Sequence, residues 1–405
     1  MWKNYLKTTY RNLIRNKAYS AINILGLTVG ITCFSVIMLH VENELSHDKF
    51  HENESYRFLT TQQTGGGEAR TIGTVAATTH NTLADKVAGI EDVILLREFA
   101  AGSLLVQYKD VEFKTRSAVF AEADFFDYFS FKLLQGDPKT ALANPNDVVL
   151  TKSTAERIFG NANPIGELIR YSGGMNFTLQ VTGVVEDPKN SHLDFDFLMN
   201  FDLKDESGYI IMREGFANDI YGYYKFEAGV EPEDVANRVK SYYLDFYKDR
   251  PDVIQELGQE SYQFQSINDI YFGSQDVVND DGLRQGNIQS ISIFGGIGLF
   301  ILLIACMNYI NSATAKAINR SKEIGVRKVF GAYKIQLITQ FMSEAFFITL
   351  IAVMLSVLLT DLTLPAFESL VQTELRYSLL ENSTYLSGLV AVLLAVTFIS
   401  GAYSA

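Results

Sequence analysis

The chain has 405 residues, 47% of them hydrophobic and 20% charged, with a formal net charge of −13. Asp, Glu, Lys and Arg are missing from Ala18 to Val41, Gln285 to Ala315, Ala345 to Thr360 and Asn382 to Ala405. Three of these runs reach the ~20 residues of a bilayer span and the third in order does so with its flank, which excludes a purely soluble, disordered or small disulfide-stapled protein.

Residues 1–20 read as an amphipathic helix on the inner membrane face. Lys3, Lys7, Arg11 and Arg15 recur every fourth residue, and Trp2, Leu6, Tyr10 and Leu13 form an apolar stripe. Residues 21–41 form the first transmembrane helix. Its uncharged run exceeds the apolar core of a signal peptide and leaves through His40-Val41-Glu42-Asn43-Glu44 without a small-x-small cleavage site, so it reads as a retained anchor. It contains Gly26-x-x-x-Gly30, a spacing that lets two helices approach closely. Cys33 and Cys306 both fall inside spans, so the water-facing domain has no disulfide and no thiolate zinc site.

Residues 42–284 read as a large α+β domain with 22 basic and 41 acidic residues, a net −19 that would repel nucleic acid. Strands are predicted at Tyr56–Thr61, Val93–Phe99, Ala118–Phe120, Asp147–Leu150, Thr178–Val185 and Tyr262–Ile267, with helices at Asn81–Ala88 and Glu231–Tyr247. Gly65-Gly66-Gly67 is a loop tip, and the turn-rich stretch from Asn144 to Pro188 reads as an inserted subdomain. His47 and His51 stand at i,i+4 beside Glu44 and Asp48 and could offer two metal ligands on one helix face. The preferred reading is a solvated acidic extension of the first span. His192, Asp194 and Asp196 alternate as on a solvated strand face, and Asn279-Asp280-Asp281-Gly282 reads as a plain turn. There is no Gly-x-x-x-x-Gly-Lys-Ser/Thr, no Gly-x-Ser-x-Gly and no His-Glu-x-x-His, so neither a nucleotide site nor a familiar catalytic motif is present.

Residues 285–405 carry three further spans, at about 291–310, 337–360 and 385–405. The loop at 316–334 holds Lys316, Arg320, Lys322, Arg327, Lys328 and Lys334 against Glu323 alone. Short loops rich in Lys and Arg stay in the cytoplasm, which puts both basic segments inside and the acidic domain outside. Asp361 to Glu381 is expected to be a brief outer loop. The fourth span stays apolar to Ala405 with no basic anchor, so the chain is expected to be one half of a longer permease or to lack its natural tail.

The loop and its flank have a specific order: Arg320-Ser-Lys-Glu323-Ile-Gly325-Val-Arg327-Lys328-Val-Phe-Gly331-Ala332, then Gln340-Phe341-Met342-Ser-Glu344-Ala345. This resembles the cytoplasmic coupling segment of MacB/FtsX-type ABC transporter permeases, including the lipoprotein-releasing permeases. Matching stretches are Glu122-Ala-Asp-Phe-Phe, Phe159-Gly160-Asn-Ala-Asn-Pro164-Ile-Gly166, Val181-Thr-Gly183-Val and Gly401-Ala402-Tyr403-Ser404-Ala405, where Ser404 replaces the family's Pro.

The resemblance implies an α-helical membrane protein of the bacterial inner membrane. It would have four transmembrane helices, one plus three, and a large α+β extracytoplasmic domain with porter-like and smaller inserted lobes. It implies a separate ABC ATPase subunit that binds ATP and Mg, with no cofactor in this chain. It also implies a second permease unit, as a homodimer partner or a covalent second half, and a periplasmic adaptor or cargo. Arg320, Glu323, Gly325, Arg327, Lys328 and Gly331 would receive the ATPase. Gly325 and Gly331 would permit a tight reversal, while Arg327 and Lys328 would meet partner carboxylates. Gly26 and Gly30 would pack helices, and Glu344 would form a salt bridge or cap near the cytoplasmic side. The function expected is a non-catalytic permease subunit that exports or extracts lipid, lipoprotein, peptide or drug. The alternative is a regulatory mechanotransmitter that controls a cell-wall hydrolase or senses antimicrobial peptides.

The charge distribution yields a direct test of topology. Single cysteines at Ser153 and Ser321 are expected to differ in intact cells: a membrane-impermeant thiol reagent labels the first and spares the second.

Overall fold

A long helix closes nearly all of its backbone hydrogen bonds internally, which hydrocarbon requires, and a mostly apolar stretch lets it enter lipid. In a computed structural model that describes residues 17–63, 69–99, 105–115, 117–171, 177–204, 219–278, 282–319, 334–371, 375 and 382–404, four helices meet this condition. They are Lys17–Leu45, Ile288–Asn319, Lys334–Val371 and Ser383–Ser404. They form one of two compact units. The second helix extends to Asn319 and the third starts at Lys334, so both reach into the span assigned to the basic loop.

The third helix overturns one expectation. Asp361 does not begin an outer loop, because the helix continues through Pro365 to Val371. The continuation is anchored by apolar spacing: Leu364 is buried, and Phe367, one turn later, packs against the same core. Thr363 Oγ1 also donates to Leu359 O at 2.8 Å just ahead of the proline.

Ser46–Asn287 form the second unit, built on a twisted sheet. Among the described residues its strands are β1 Tyr56–Gln63, β2 Ala69–Ile72, β3 Ile90–Phe99, β4 Leu105–Tyr108, β5 Val111–Lys114, β6 Ala118–Ala121, β7 Leu133–Gln135, β8 Asp147–Thr151, β9 Leu168–Tyr171, β10 Phe177–Val185, β11 Phe197–Asn200, β12 Tyr221–Phe226, β13 Ser261–Ser266 and β14 Val277–Val278. Their order is β14-β2-β1-β12-β3-β6-β11-β8-β10-β9-β4-β5, with β13 on β1 and β7 on β10.

Every residue of β6, β8 and β11 is buried, as expected where both faces of a sheet are covered. Their side chains alternate between two cores. Phe120, Val148, Leu150, Phe197 and Met199 enter one, while Val119, Ala121, Val149 and Leu198 enter the other with Phe125 and Phe129.

The stretch from Asn144 to Pro188 does not form a sheet of its own. β8 runs parallel to β10 on one edge and antiparallel to β11 on the other, and β4 and β5 from earlier in the chain complete that end. The smaller lobe therefore draws on residues 105–114 as well. Gly160 ends the helix Lys152–Phe159 at φ +62, a conformation that costs a Cβ-bearing residue.

A third core lies under the helices Ala77–Lys86 and Pro232–Phe246, where Phe58, Leu83, Tyr224, Val235 and Val239 meet. His80 is completely buried there. Its Nε2–H donates to Ile220 O at 3.1 Å, and its Nδ1 accepts from the Tyr224 hydroxyl at 2.7 Å. The ring fits because position 222 has no side chain: a Cβ on Gly222 would stand 2.2 Å from Nδ1.

Burial lowers the His80 pKa from 6.5 to about 4, against the smaller opposing pull of the Ile220 carbonyl. A histidine held neutral in the native state binds its proton first in the unfolded chain, so it costs stability as pH falls through 6.5 and stops doing so near 4. Urea melts of the chain in micelles are expected to lose about 3 kcal/mol from this residue across that window. His80→Phe should lower stability at neutral pH and flatten the acid limb.

Candidate functional site

The coupling residues expected from the sequence, Arg320, Glu323, Gly325, Arg327, Lys328 and Gly331, lie outside the described residues, as do residues 1–16, Gly65-Gly66-Gly67 and 279–281. The helices flanking the basic loop are described, and both pack against the first. The second helix approaches closely at Gly30, where a Cβ would sit 2.4 Å from the Ala305 Cβ. At Gly26 a Cβ would lie 3.6 Å from Asn308 Nδ2, an ordinary contact. Small residues bring helices together where apolar burial cannot, because lipid is as apolar as the interface.

The third helix meets the first through hydroxyls. Thr28 Oγ1 points to Ala352 O and Thr32 Oγ1 to Ser356 O, both at 3.4 Å and one turn apart on each helix. Glu344 is buried on the third helix, where its side chain is engaged within the bundle.

The first helix stops at Leu45, and Asp48 turns the chain with φ +61. His47 and His51 consequently do not share a helix face. His47 stacks on Tyr271 with ring centroids 3.7 Å apart, while His51 turns inward toward Asp48. His192 is not on a solvated strand face either. β11 begins only at Phe197, and His192 is wholly buried.

These residues form a sealed polar cluster. Asp48 Oδ1 accepts from Ser191 Oγ at 2.9 Å, from the His192 backbone N–H at 3.0 Å and from His192 Nδ1 at 2.8 Å. His192 Nε2 contacts the Tyr223 hydroxyl at 2.9 Å, and His51 Nε2 stands 3.5 Å from the same carboxylate oxygen. Burial alone would push the Asp48 pKa up. The neighbouring His192 and the hydrogen bonds from both histidines outweigh it and hold the carboxyl well below its usual range. Burial lowers the His51 pKa despite the nearby carboxylate.

Asp48, His51 and His192 are a ligand-type triad with atoms within 4.8 Å of one another. Their hydrogen bonds, however, suit protons. The Ser130 backbone N–H donates to His51 Nδ1 at 3.2 Å, which leaves the proton on Nε2, the nitrogen a metal would need bare. Apart from the nearby His51, little in the local sequence marks Asp48, because Ser191 and His192 lie more than 140 residues away. Asp196, also predicted on a solvated face, is buried and lies 3.4 Å from Arg157 Nη2.

The same unit has an open cleft of about 650 Å³, bordered by Asp85, Asp92, Glu122, Asp124 and Asp202. Its lining is acidic, unlike an apolar groove suited to an apolar cargo. Glu122 is tied to the sheet by accepting the Leu95 N–H at 3.0 Å.

Residues 20–242 match the MacB-like periplasmic core domain, and residues 295–405 match the FtsX-like permease C-terminal domain. The chain belongs to the MacB/FtsX-type ABC permease family. It is similar to the macrolide export ATP-binding/permease protein MacB of Aggregatibacter actinomycetemcomitans, with 25% identity over 86% of this chain and 51% of that protein. The uncharacterized ABC transporter permease YknZ of Bacillus subtilis is 24% identical over 50% of this chain and 45% of its own length. The chain thus spans about half the length of these relatives. The crystal structure of the periplasmic region of MacB from Actinobacillus actinomycetemcomitans aligns with a TM-score of 0.37 and 16% identity, covering 55% of this chain and 92% of that one. Within this MacB/FtsX-type chain, the Glu122-Ala-Asp-Phe-Phe stretch supplies Phe125 to the core, and Val181-Thr-Gly183 lies on β10.

The packing at Gly30 makes a paired prediction. Gly30→Ala should destabilise the helical unit by about 1–3 kcal/mol through overpacking, whereas Gly26→Ala should be tolerated. Adding Ala305→Gly to Gly30→Ala removes the atom in conflict and should restore the melting temperature in micelles.

Proposed function

We propose that this chain is the non-catalytic permease subunit of an ABC transporter, passing movement from an ATPase through its helices to the acidic outer domain. The observation that supports this most strongly is the double grip on the first helix. The helices on either side of the basic loop, ending at Asn319 and restarting at Lys334, both pack on the helix that continues at Ser46 into the outer domain. A push on that loop therefore has two contact routes to the first helix, at Gly30–Ala305 and at Thr28–Ala352 with Thr32–Ser356.

In this reading residues 320–333 face the cytoplasm and Ser46–Asn287 face outward from the bacterial inner membrane. A second permease unit pairs with this one, and ATP and Mg are held by the ATPase. The work delivered is export or extraction of a lipid, lipoprotein, peptide or drug. Arg327 and Lys328 recognise carboxylates of the ATPase, and Glu323 adds a complementary charge.

Arg327→Glu tests the docking. Reversal of a close interfacial charge should weaken ATPase association by about 2–5 kcal/mol and lower coupled ATP turnover, with the outer domain still folded. A pull-down with undiminished association and unchanged turnover would refute the assignment.

A further inference from the structure

The chain passes between its two units at Leu45–Ser46 and again at Asn287–Ile288. Both connections are tied, inside the outer domain, to one short loop. On the arriving side, the Asp48 N–H donates to Asn190 O at 2.9 Å and Asn190 Nδ2 donates to Ser46 Oγ at 2.8 Å. The Asp48 carboxylate accepts from Ser191 and His192 as described above. On the departing side, the Arg284 N–H donates to His192 O at 2.7 Å. Its guanidinium donates to Pro188 O at 2.7 Å and to Lys189 O at 3.2 Å, and pairs with Asp194 at 2.8 Å.

A second brace joins the same two connections through Tyr271. His47 stacks on its ring, while the Gly286 N–H donates to its carbonyl at 2.7 Å. Gly286 lies so close that a Cβ there would stand 2.2 Å from Tyr271 Cε1. The loop leads directly into β11, and His192 touches Tyr223 on β12, so both connections end on interior strands of the sheet.

We infer that Pro188–Asp194 is the receiver that takes the displacement of both connections as one input, with Asp48 and Arg284 as the residues that position it. The inference rests on the transmission reading proposed above. Its chemistry supports the assignment. A carboxylate and a guanidinium, each making several hydrogen bonds, approach the loop from opposite sides in sequence. Both fix the same short loop: the Asp48 carboxylate holds the His192 N–H, while the Arg284 guanidinium holds the Pro188 and Lys189 carbonyls and its backbone N–H holds the His192 carbonyl. Asp48 also occupies a left-handed position that Asn tolerates nearly as well, so Asp48→Asn changes the charge without forcing the turn.

The test is amide hydrogen exchange on the full chain with its ABC ATPase in lipid nanodiscs. Arg284→Ala is expected to speed exchange at Asp48 and His192 at least tenfold, and Asp48→Asn is expected to do the same at Arg284. The amides of β10 should keep their wild-type rates in both variants. Arg284→Lys, which retains a charge for Asp194 and loses the fork, should give an intermediate effect and guards against a misfolded alanine variant.

ATP is expected to change exchange across 188–194 in the wild type. In Asp48→Asn that response should be lost while ATP turnover continues. If each substitution loosens only its own contacts while the ATP response of the loop persists, the receiver is wrong and the transmission reading survives. If the substitutions are coupled but ATP leaves 188–194 unchanged during active turnover, both fall.

Discussion

A carboxylate sealed from water is costly unless fixed donors surround it, and Asp48 is sealed three residues after the first membrane-type helix ends. Its solution is to gather a hydroxyl, a backbone N–H and an imidazole from the loop at 191–192. That solution works only if the loop is held, and it is held by Arg284 from the other connection. One ionised group thus sets the path of the chain into the outer domain, the inward position of His192 and the placement of the loop that leads into β11.

The helices were legible because hydrocarbon tolerates so little: long runs without Asp, Glu, Lys or Arg leave few alternatives. The strands at Tyr56, Asp147, Thr178 and Tyr262 were legible from β-branched and aromatic runs bounded by turn residues. What failed was context. His192, Asp194 and Asp196 alternate as a strand would, yet the strand begins one residue after Asp196. Asp361 looked like the start of a loop, because the next turn's hold on the bundle through Leu364 and Phe367 is a tertiary fact. His51 and His192 stood out in the sequence as separate features, but nothing local joins them or sets Asp48 apart from the other acids of an acidic domain. The segment expected to meet an ATPase was marked only by the order of its residues, and it lies outside the described residues.

The sheet explains why the smaller lobe was hard to delimit. Turn-rich sequence from Asn144 to Pro188 suggested a separate body, yet β8 is hydrogen-bonded on both edges and buried along its whole length. A strand in that position belongs to both sides at once, and the two cores run past it without interruption. Sequence punctuation marks turns well. It does not mark which strand edges will pair.

The crossing at Gly30 has a geometric consequence for the first helix. Contacts at residues 28–32 hold it from two sides near its middle. At 1.5 Å per residue, about 20 Å of helix lies before Gly30 and about 22 Å after it. Further contacts follow toward both ends: Gly26 faces Asn308, Gly298 faces Ile37, and His40 lies edge-on to Phe294 and Phe367. The first helix is therefore clasped over much of its length, and no single crossing serves as its fulcrum.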